Sequence, residues 1–182
     1  MKKKALIVTC TGFRDQEVVY PYYRLQAAGF AVDLVSDKKD DRGRTYGVNN
    51  VNMPCTVLLK DFVENSQHYH DEYDFMVLPG GVVALEKLRL FKGVIEFVRQ
   101  WNQQNKVIAS ICQGAQILIS ANCCPGREIS GYYNIADDIS NAGAKFVDAP
   151  AVISQNIISS PHYDFMGEWM EKSLEVYVKL NG

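Results

Sequence analysis

A doubly wound α/β domain is the fold class that three features of the sequence predict. Short apolar, β-branched runs alternate along the chain with longer segments of helical periodicity. The apolar runs fit parallel strands that are buried on both faces of a sheet. With 182 residues, the chain has the length of about one domain. Together these features predict a single domain over residues 1–182, with a mainly parallel sheet between two layers of helices.

The individual elements follow in the order that such a sheet requires. The first strand, residues 4–10, leads into a helix over residues 15–28 that ends at Gly29. Residues 37–50 are polar and rich in turn signals, which predicts a loop or a small hairpin. Further strands are predicted at residues 31–36, 74–78, 106–111 (in the centre of the sheet), near 146 and at 152–158, and further helices at residues 91–105, 113–121, 134–141 and 162–180. This order is that of a flavodoxin-like α/β fold.

The composition argues against several classes of function. Nineteen Lys and Arg against 21 Asp and Glu give a net charge of −2, whereas a dedicated nucleic-acid binder needs a basic surface. The apolar runs are far shorter than the roughly 20 residues of a membrane span, and the first is too short for a secretory signal. The five cysteines have no CxxC spacing, which argues against a disulfide framework or a zinc site. We therefore expect a cytoplasmic protein with no metal and with no nucleic-acid or membrane partner.

The clearest chemical feature is the segment ASICQGA at residues 109–115, in which an apolar strand runs directly into a helix. Cys112 lies at the turn, an arrangement typical of a nucleophile elbow, which exposes the reactive atom above the sheet. The free N–H groups and the positive dipole end of the helix would stabilise a thiolate and lower the pKa of the thiol. A buried structural cysteine would give the same pattern, so the spacing alone leaves both interpretations open.

Two other segments are expected at the same sheet edge, because the carboxyl ends of parallel strands meet there. Gly80 and Gly81 follow the strand at 74–78, and their backbone N–H groups could form an oxyanion hole. Glu17 lies just inside the first helix, where its carboxyl group could face Cys112 as a hydrogen-bond donor or as a base. A simple tight turn and a first-turn acid that complements the helix dipole are the alternatives.

Four parts of the chain carry a family resemblance: FRDQE with YPYYRL within residues 13–25, VLPGG at 77–81, ASICQGAQILIS at 109–120, and DD with NAGA within 137–144. In these segments the chain resembles the PfpI-like intracellular proteases, which belong to the class I glutamine-amidotransferase-like superfamily, as does the parkinsonism-associated deglycase. The resemblance implies that Cys112 is the nucleophile, with Glu17 as its carboxyl partner. It also implies that the N–H groups of Gly81 and Gln113 form the oxyanion hole and that the protein is a homodimer or a larger homo-oligomer.

One position departs from the family pattern. The PfpI proteases have a histidine directly after the nucleophilic cysteine, and this chain has Gln113. Because glutamine neither accepts nor delivers a proton near neutral pH, a Cys–His relay through this position is absent. Peptidase activity is therefore not favoured. Other branches of the superfamily that lack this histidine are associated with glyoxalase, deglycase, hydratase or chaperone-like activity.

The histidines of this chain give weaker signals. His68 and His70 are two residues apart in a polar stretch without a third ligand, so we predict a surface loop rather than a metal site. His162 follows the strand predicted at 152–158, at the edge where chemistry is expected. It could replace the missing base as an auxiliary group, but we favour the interpretation that it only begins the last helix.

Two functional hypotheses follow from these residues. In the first, the protein is a cysteine-dependent hydrolase of PfpI type that uses Cys112 and Glu17 on a peptide or on a small carbonyl or amide electrophile. In the second, it is a non-enzymatic redox-sensing or stress-response protein in which Cys112 is oxidised to a sulfinate. A flavin-binding module of the same fold class is a third alternative, but no phosphate-cradling loop follows the first strand. We therefore expect no cofactor.

Overall fold

The computed structural model describes residues 3–182, so that Met1 and Lys2 of the predicted domain lie outside the described residues. The strands are β1 (Lys4–Val8), β2 (Ala31–Ser36), β3 (Arg44–Tyr46), β4 (Asn52–Pro54), β5 (Val57–Leu58), β6 (Phe75–Leu78), β7 (Val107–Ile111), β8 (Glu128–Ile129), β9 (Lys145–Phe146), β10 (Val152–Ser154) and β11 (Ile157–Ser160). The helices are α1 (Asp15–Ala27), α2 (Leu59–Glu64), α3 (Ser66–Glu72), α4 (Val82–Leu88), α5 (Lys92–Gln103), α6 (Ala115–Ser120), α7 (Ala136–Asn141) and α8 (Met166–Asn181). Short 3₁₀ turns precede the last three helices, at Cys112–Gly114, Tyr133–Ile135 and Tyr163–Phe165.

Seven strands form the main sheet, in the order β10-β11-β7-β6-β1-β2-β5. Neighbouring strands are parallel except for β10 and β11, which form an antiparallel hairpin. From β1 the chain extends the sheet through β2 and β5, and it then continues on the other side of β1 through β6, β7 and β11. The strand order thus reverses between β1 and β6, and the crevice at their carboxyl ends is where a doubly wound sheet binds ligands.

Helices cover this sheet in two groups. α1 and α8 contact each other and the strands β1, β2, β7 and β11, whereas α2, α5, α6 and α7 contact one another in succession. Trp169 of α8 and Trp101 of α5 are fully buried, and their indole N–H groups donate to the carbonyl oxygens of Ile158 and Val107. These anchors hold one helix of each group against the strands. The predicted flavodoxin-like fold with a mainly parallel sheet is therefore confirmed.

The strand that carries the elbow is observed as β7. All five of its residues are buried, and it pairs in parallel with β6 on one side and with β11 on the other. The prediction of an interior, parallel strand is confirmed, although β6 rather than β7 is the middle strand of the seven. The difference arises because β5, a strand that the sequence does not predict, extends the sheet beyond β2, whereas the strand predicted near 146 pairs with β8 in a separate two-stranded sheet. The strand predicted at 152–158 is a hairpin of β10 and β11 that turns at Gln155, with φ of +59°.

The prediction of a surface loop around the histidines is wrong in its secondary structure and for His70, whereas His68 is exposed as predicted. Residues 59–72 form α2 and α3, and His70 is buried on α3. Its ring stacks on Phe97 at 4.1 Å, and its Nδ1 lies 3.2 Å from the side-chain oxygen of Gln104. Burial lowers the pKa of His70, which favours the neutral ring that can pack in an aromatic environment.

The remaining segments agree with the sequence in outline. β3 and β4 form the small hairpin expected near residues 37–50, although it extends to Pro54. Within residues 3–182 there is no group of three or more His, Cys, Asp or Glu side chains arranged to hold a metal ion. Among the helices of the described residues, none combines the length and the apolar character that crossing a bilayer requires.

Candidate active site

Cys112 lies at the sharp turn between β7 and α6. Its φ of +57° is in the left-handed region that non-glycine residues rarely adopt, which confirms the strained backbone predicted for a nucleophile elbow. The turn is held from outside, because the N–H of Tyr132 donates to the Cys112 carbonyl oxygen at 3.0 Å. Only 7% of Cys112 is exposed.

Gly80 and Gly81 connect β6 to α4 directly beside Cys112. A Cβ atom on Gly80 would lie 2.6 Å from Oε2 of Glu17 and 2.9 Å from the Cβ of Cys112, so only glycine lets the loop pass so close to both side chains. Gly81 has a φ of +112°, which glycine adopts at little cost. The Gly80 carbonyl oxygen accepts a hydrogen bond from the Arg14 N–H at 3.1 Å, so the loop is also attached to the start of α1.

Glu17 is fully buried on α1, and its two carboxyl oxygens have different environments. Oε2 accepts the N–H of Gly80 at 2.6 Å. Oε1 has no hydrogen-bond partner within residues 3–182. The carboxyl group as a whole lies beside the Cys112 side chain. Burial raises the pKa of Glu17 to about 7, and the contacts with Gly80 and Cys112 oppose that rise without cancelling it.

The same environment raises the pKa of the Cys112 thiol. Burial is the larger cause, and the negative charge of Glu17 is the second, while the backbone N–H of Gln113 acts in the opposite direction. The prediction that the helix N-terminus gives this thiol a low pKa is therefore wrong, because burial and the carboxyl group outweigh the helix. The Glu17 carboxyl group is therefore the first of the two to lose its proton, near pH 7, and the charge that it then carries keeps the proton on the Cys112 thiol.

A cavity of about 320 Å³ opens above Cys112. Of the residues singled out from the sequence, Cys112, Gly81, Gln113 and His162 line it, and Glu17 lies behind Cys112. The other lining residues are Gly12, Arg14, Val48, Val82, Val83, Tyr132, Asn134 and Tyr163. The carboxyl ends of β1, β6, β7 and β11 thus contribute to one site, as their order in the sheet requires.

His162 is at the edge of this cavity. It caps the 3₁₀ turn before α8, where its Nδ1 lies 3.4 Å from the Asp164 N–H and 3.0 Å from the Asp164 carboxylate. The capping contact agrees with the interpretation that His162 begins the last helix. A catalytic role for it stays a prediction.

Arg14, Tyr132 and Tyr163 belong to the site but were not singled out from the sequence. Arg14 directly precedes α1 in the segment that contains Glu17, and this position at the active sheet edge was the one available signal. Tyr132 lies in the irregular segment after β8, and Tyr163 begins the short 3₁₀ turn after β11, so no periodic pattern marks them.

Comparison with known proteins gives a consistent family. Residues 3–176 match the model of the DJ-1/PfpI family. The chain is 34% identical over 177 residues to "Deglycase PfpI" of Pyrococcus furiosus, which covers 97% of this chain and 98% of that protein. It is 36% identical over 177 residues to "Deglycase TK1284" of Thermococcus kodakarensis, with the same coverage. A mutant of Schizosaccharomyces pombe DJ-1 has the same fold, with a TM-score of 0.85 at 22% identity over 98% of this chain and 99% of that one. The chain belongs to the DJ-1/PfpI family.

Proposed function

We propose that this protein is a cysteine-dependent hydrolase, deglycase-like in acting on small carbonyl electrophiles. The observation that carries the proposal is the pair formed by Cys112 and the buried carboxyl group of Glu17 at the floor of a small cavity. The names of the archaeal relatives, which are deglycases, support the same class of chemistry.

Glu17 is the group that moves the proton. With a pKa of about 7, its carboxyl group is poised to accept a proton near neutral pH, where a general base works best. It takes the thiol proton as Cys112 attacks the carbonyl carbon. The new S–C bond forms, the π electron pair moves to the carbonyl oxygen, and the same proton then passes to that oxygen, so the product of this step is a thiohemiacetal.

Backbone N–H groups stabilise the charge that develops on the oxygen. Gln113 is next to Cys112 in the 3₁₀ turn. Gly81 directly follows Gly80, the loop residue that lies against both Glu17 and Cys112. An oxyanion hole made of these two N–H groups lowers the barrier without a side-chain acid.

A carbonyl substrate also fits the absence of histidine at position 113. Peptide cleavage expels an amine that must be protonated as it leaves, and Gln113 cannot deliver that proton. Addition to an aldehyde has no leaving group, so the single proton held by Glu17 is enough for the first step. We therefore propose carbonyl compounds, rather than peptides, as the substrates.

Turnover of methylglyoxal tests the proposal. Methylglyoxal and one water give lactate and one proton, with the aldehyde carbon oxidised and the ketone carbon reduced within the same molecule. Proton NMR follows the appearance of lactate with the wild-type protein, with Cys112→Ala and with Cys123→Ala, which removes a buried thiol outside the cavity. We expect lactate from the wild type and from Cys123→Ala, and none above background from Cys112→Ala. Equal turnover by all three proteins would remove Cys112 from the mechanism.

The redox alternative makes a different prediction for the same proteins. If Cys112 serves as a sensor, the wild type turns over no carbonyl compound, and peroxide converts Cys112 to a sulfinate before the other four thiols react. Peptide mapping by mass spectrometry after a peroxide titration distinguishes this outcome from catalysis.

Four further expectations belong to the proposal. We propose that the chain acts as a single domain, without a cofactor, as a cytoplasmic homodimer or larger homo-oligomer. The family resemblance supports the assembly, and light scattering of the purified protein tests it. A monomer with full activity would show that the site needs no second subunit.

A further inference from the structure

The cavity contains one charged group that the proposed chemistry does not use. Of the residues that line it in the described part of the chain, Arg14 alone has a permanently charged side chain, and no Asp or Glu lines the cavity. The other polar groups there are neutral amides, phenols and the His162 ring. A lone guanidinium in such a cavity is typical of sites that bind an anionic group, because arginine matches the geometry of a carboxylate.

The position of the Arg14 side chain supports a binding role. Its guanidinium carbon lies 5.4 Å from the centre of the Tyr163 ring, and Tyr163 also lines the cavity. Its positive charge acts on both reactive groups, since it lowers the pKa of Cys112 and of Glu17 against the larger effect of burial. The guanidinium therefore lies within electrostatic range of the nucleophile.

Within residues 3–182, no carboxylate of the protein is paired with the Arg14 guanidinium. The guanidinium makes no hydrogen bond and no ion pair with another side chain in residues 3–182. Its contact with Tyr163 is a cation–π contact, which uses none of its N–H donors. The contrast with Arg24 of α1 is direct, because Arg24 is held by Glu171 through both Nε and Nη2. An arginine without an internal carboxylate leaves its donors free for one that enters the cavity.

We infer that Arg14 binds a carboxylate of the substrate, so that the preferred substrate is a small carbonyl compound that carries a carboxylate group. The inference rests on the proposed function, because Cys112 must be the reacting nucleophile. It extends the proposed function by naming the substrate group that the cavity recognises. The carboxylate contacts Arg14 while the carbonyl carbon lies over Cys112. The half-exposed side chains of Val48, Val82 and Val83 leave an apolar wall for the remaining carbon atoms.

Two alkylating reagents of nearly the same size test this inference without any turnover. Iodoacetate and iodoacetamide react with a thiolate at the same carbon and release iodide, but only iodoacetate carries a carboxylate. Peptide mapping gives the rate at which each one labels Cys112, and the ratio of the two rates cancels any change in the ionisation of the thiol. We expect the iodoacetate-to-iodoacetamide ratio to fall about tenfold in Arg14→Gln, the scale of a lost charge-assisted contact.

Matched variants identify the cause of that change. Arg14→Lys keeps the charge and should keep part of the ratio, whereas Arg24→Gln removes an arginine outside the cavity and should leave the ratio as in the wild type. The backbone hydrogen bond from Arg14 to Gly80 survives each substitution, so the loop keeps its support. Glyoxylate, an aldehyde with a carboxylate, should protect Cys112 from iodoacetamide in the wild type at lower concentration than in Arg14→Gln.

The outcomes separate this inference from the proposed function. An unchanged ratio in Arg14→Gln, or equal protection by glyoxylate in both proteins, overturns the role of Arg14 while methylglyoxal turnover by Cys112 stands. If neither reagent labels Cys112 in the native wild-type protein, both the inference and the proposed function are overturned.

Discussion

Glu17 is the residue on which most of the proposed chemistry depends. A fully buried carboxyl group with one unpartnered oxygen is destabilising when ionised, because desolvation penalises the charge. The protein tolerates it since the Gly80 N–H and the Cys112 thiol share the charge between them. A position optimised for stability alone would not keep such a group, so the burial of Glu17 agrees with the role proposed for it.

The raised pKa of Glu17 predicts a pH-dependent cost in stability. Between its ordinary value of 4.5 and about 7, the folded state binds more protons than the unfolded state, so the free energy of unfolding falls as pH rises through this range. Glu17→Gln removes the titration and should remove the fall. Relative to the variant, the wild type should lose about 2–3 kcal/mol between pH 5 and pH 8, measured by urea unfolding. A difference in free energy of unfolding that stays constant from pH 5 to pH 8 would mean that folding does not raise the pKa of Glu17.

Position 113 allows a test of the missing family histidine. Among the described residues, none that lines the cavity is Asp or Glu, so no carboxylate there orients an imidazole at this position. Gln113→His should therefore give no measurable peptide hydrolysis with a fluorogenic peptide, even though it restores the residue type of the PfpI proteases. Efficient peptide cleavage by this variant would show that one histidine is enough to convert the site.

At the scale of elements, the β6–α4 loop and the elbow after β7 act together. Gly80→Ala would insert a methyl group 2.6 Å from the Glu17 carboxyl group and 2.9 Å from the Cys112 Cβ, so the two side chains must move apart. We expect a loss of roughly 1–3 kcal/mol in stability and a larger proportional loss of turnover. Gly167→Ala on α8 is the matched control, since an added Cβ there meets nothing within 4 Å and should be neutral or stabilising. Thermal unfolding and the lactate assay measure the two effects. Equal activity of the two variants would contradict the claim that the β6–α4 loop and the elbow act together.

The elements that could be predicted are those whose pattern is local. β2 was predicted with its observed bounds, and the end of α1 at Gly29 follows from the preference of glycine for positive φ, observed as +88°. Residues 59–72 were missed, because α2 and α3 are short and their stability comes from packing on α5 rather than from an apolar period of their own. The buried state of His70 was missed for the same reason, since Phe97 of α5 is distant in sequence.

Over the whole molecule, the site is assembled by the topology of the sheet. Reversal of the strand order between β1 and β6 brings together Glu17, Gly81 and Cys112, which are far apart in the chain. The rule that ligands bind at the carboxyl ends of parallel strands was enough to group these residues from the sequence. It could not predict the pKa of the Cys112 thiol, because desolvation depends on how completely the surrounding side chains exclude water. Nor could it identify Arg14 as the charged side chain that lines the cavity in residues 3–182.

The central claim is that Cys112 and Glu17 ionise as a unit, and the pH dependence of Cys112 alkylation tests it most directly. Mass spectrometry measures the rate of labelling by iodoacetamide from pH 5 to pH 10 in the wild type and in Glu17→Gln. The wild type should show an increase in rate centred near pH 7, where Glu17 becomes the carboxylate that can take the thiol proton. Glu17→Gln should lack this step and react only at higher pH, because burial still raises the pKa of its Cys112 thiol. Superimposable profiles for the two proteins would show that Glu17 does not control the nucleophile.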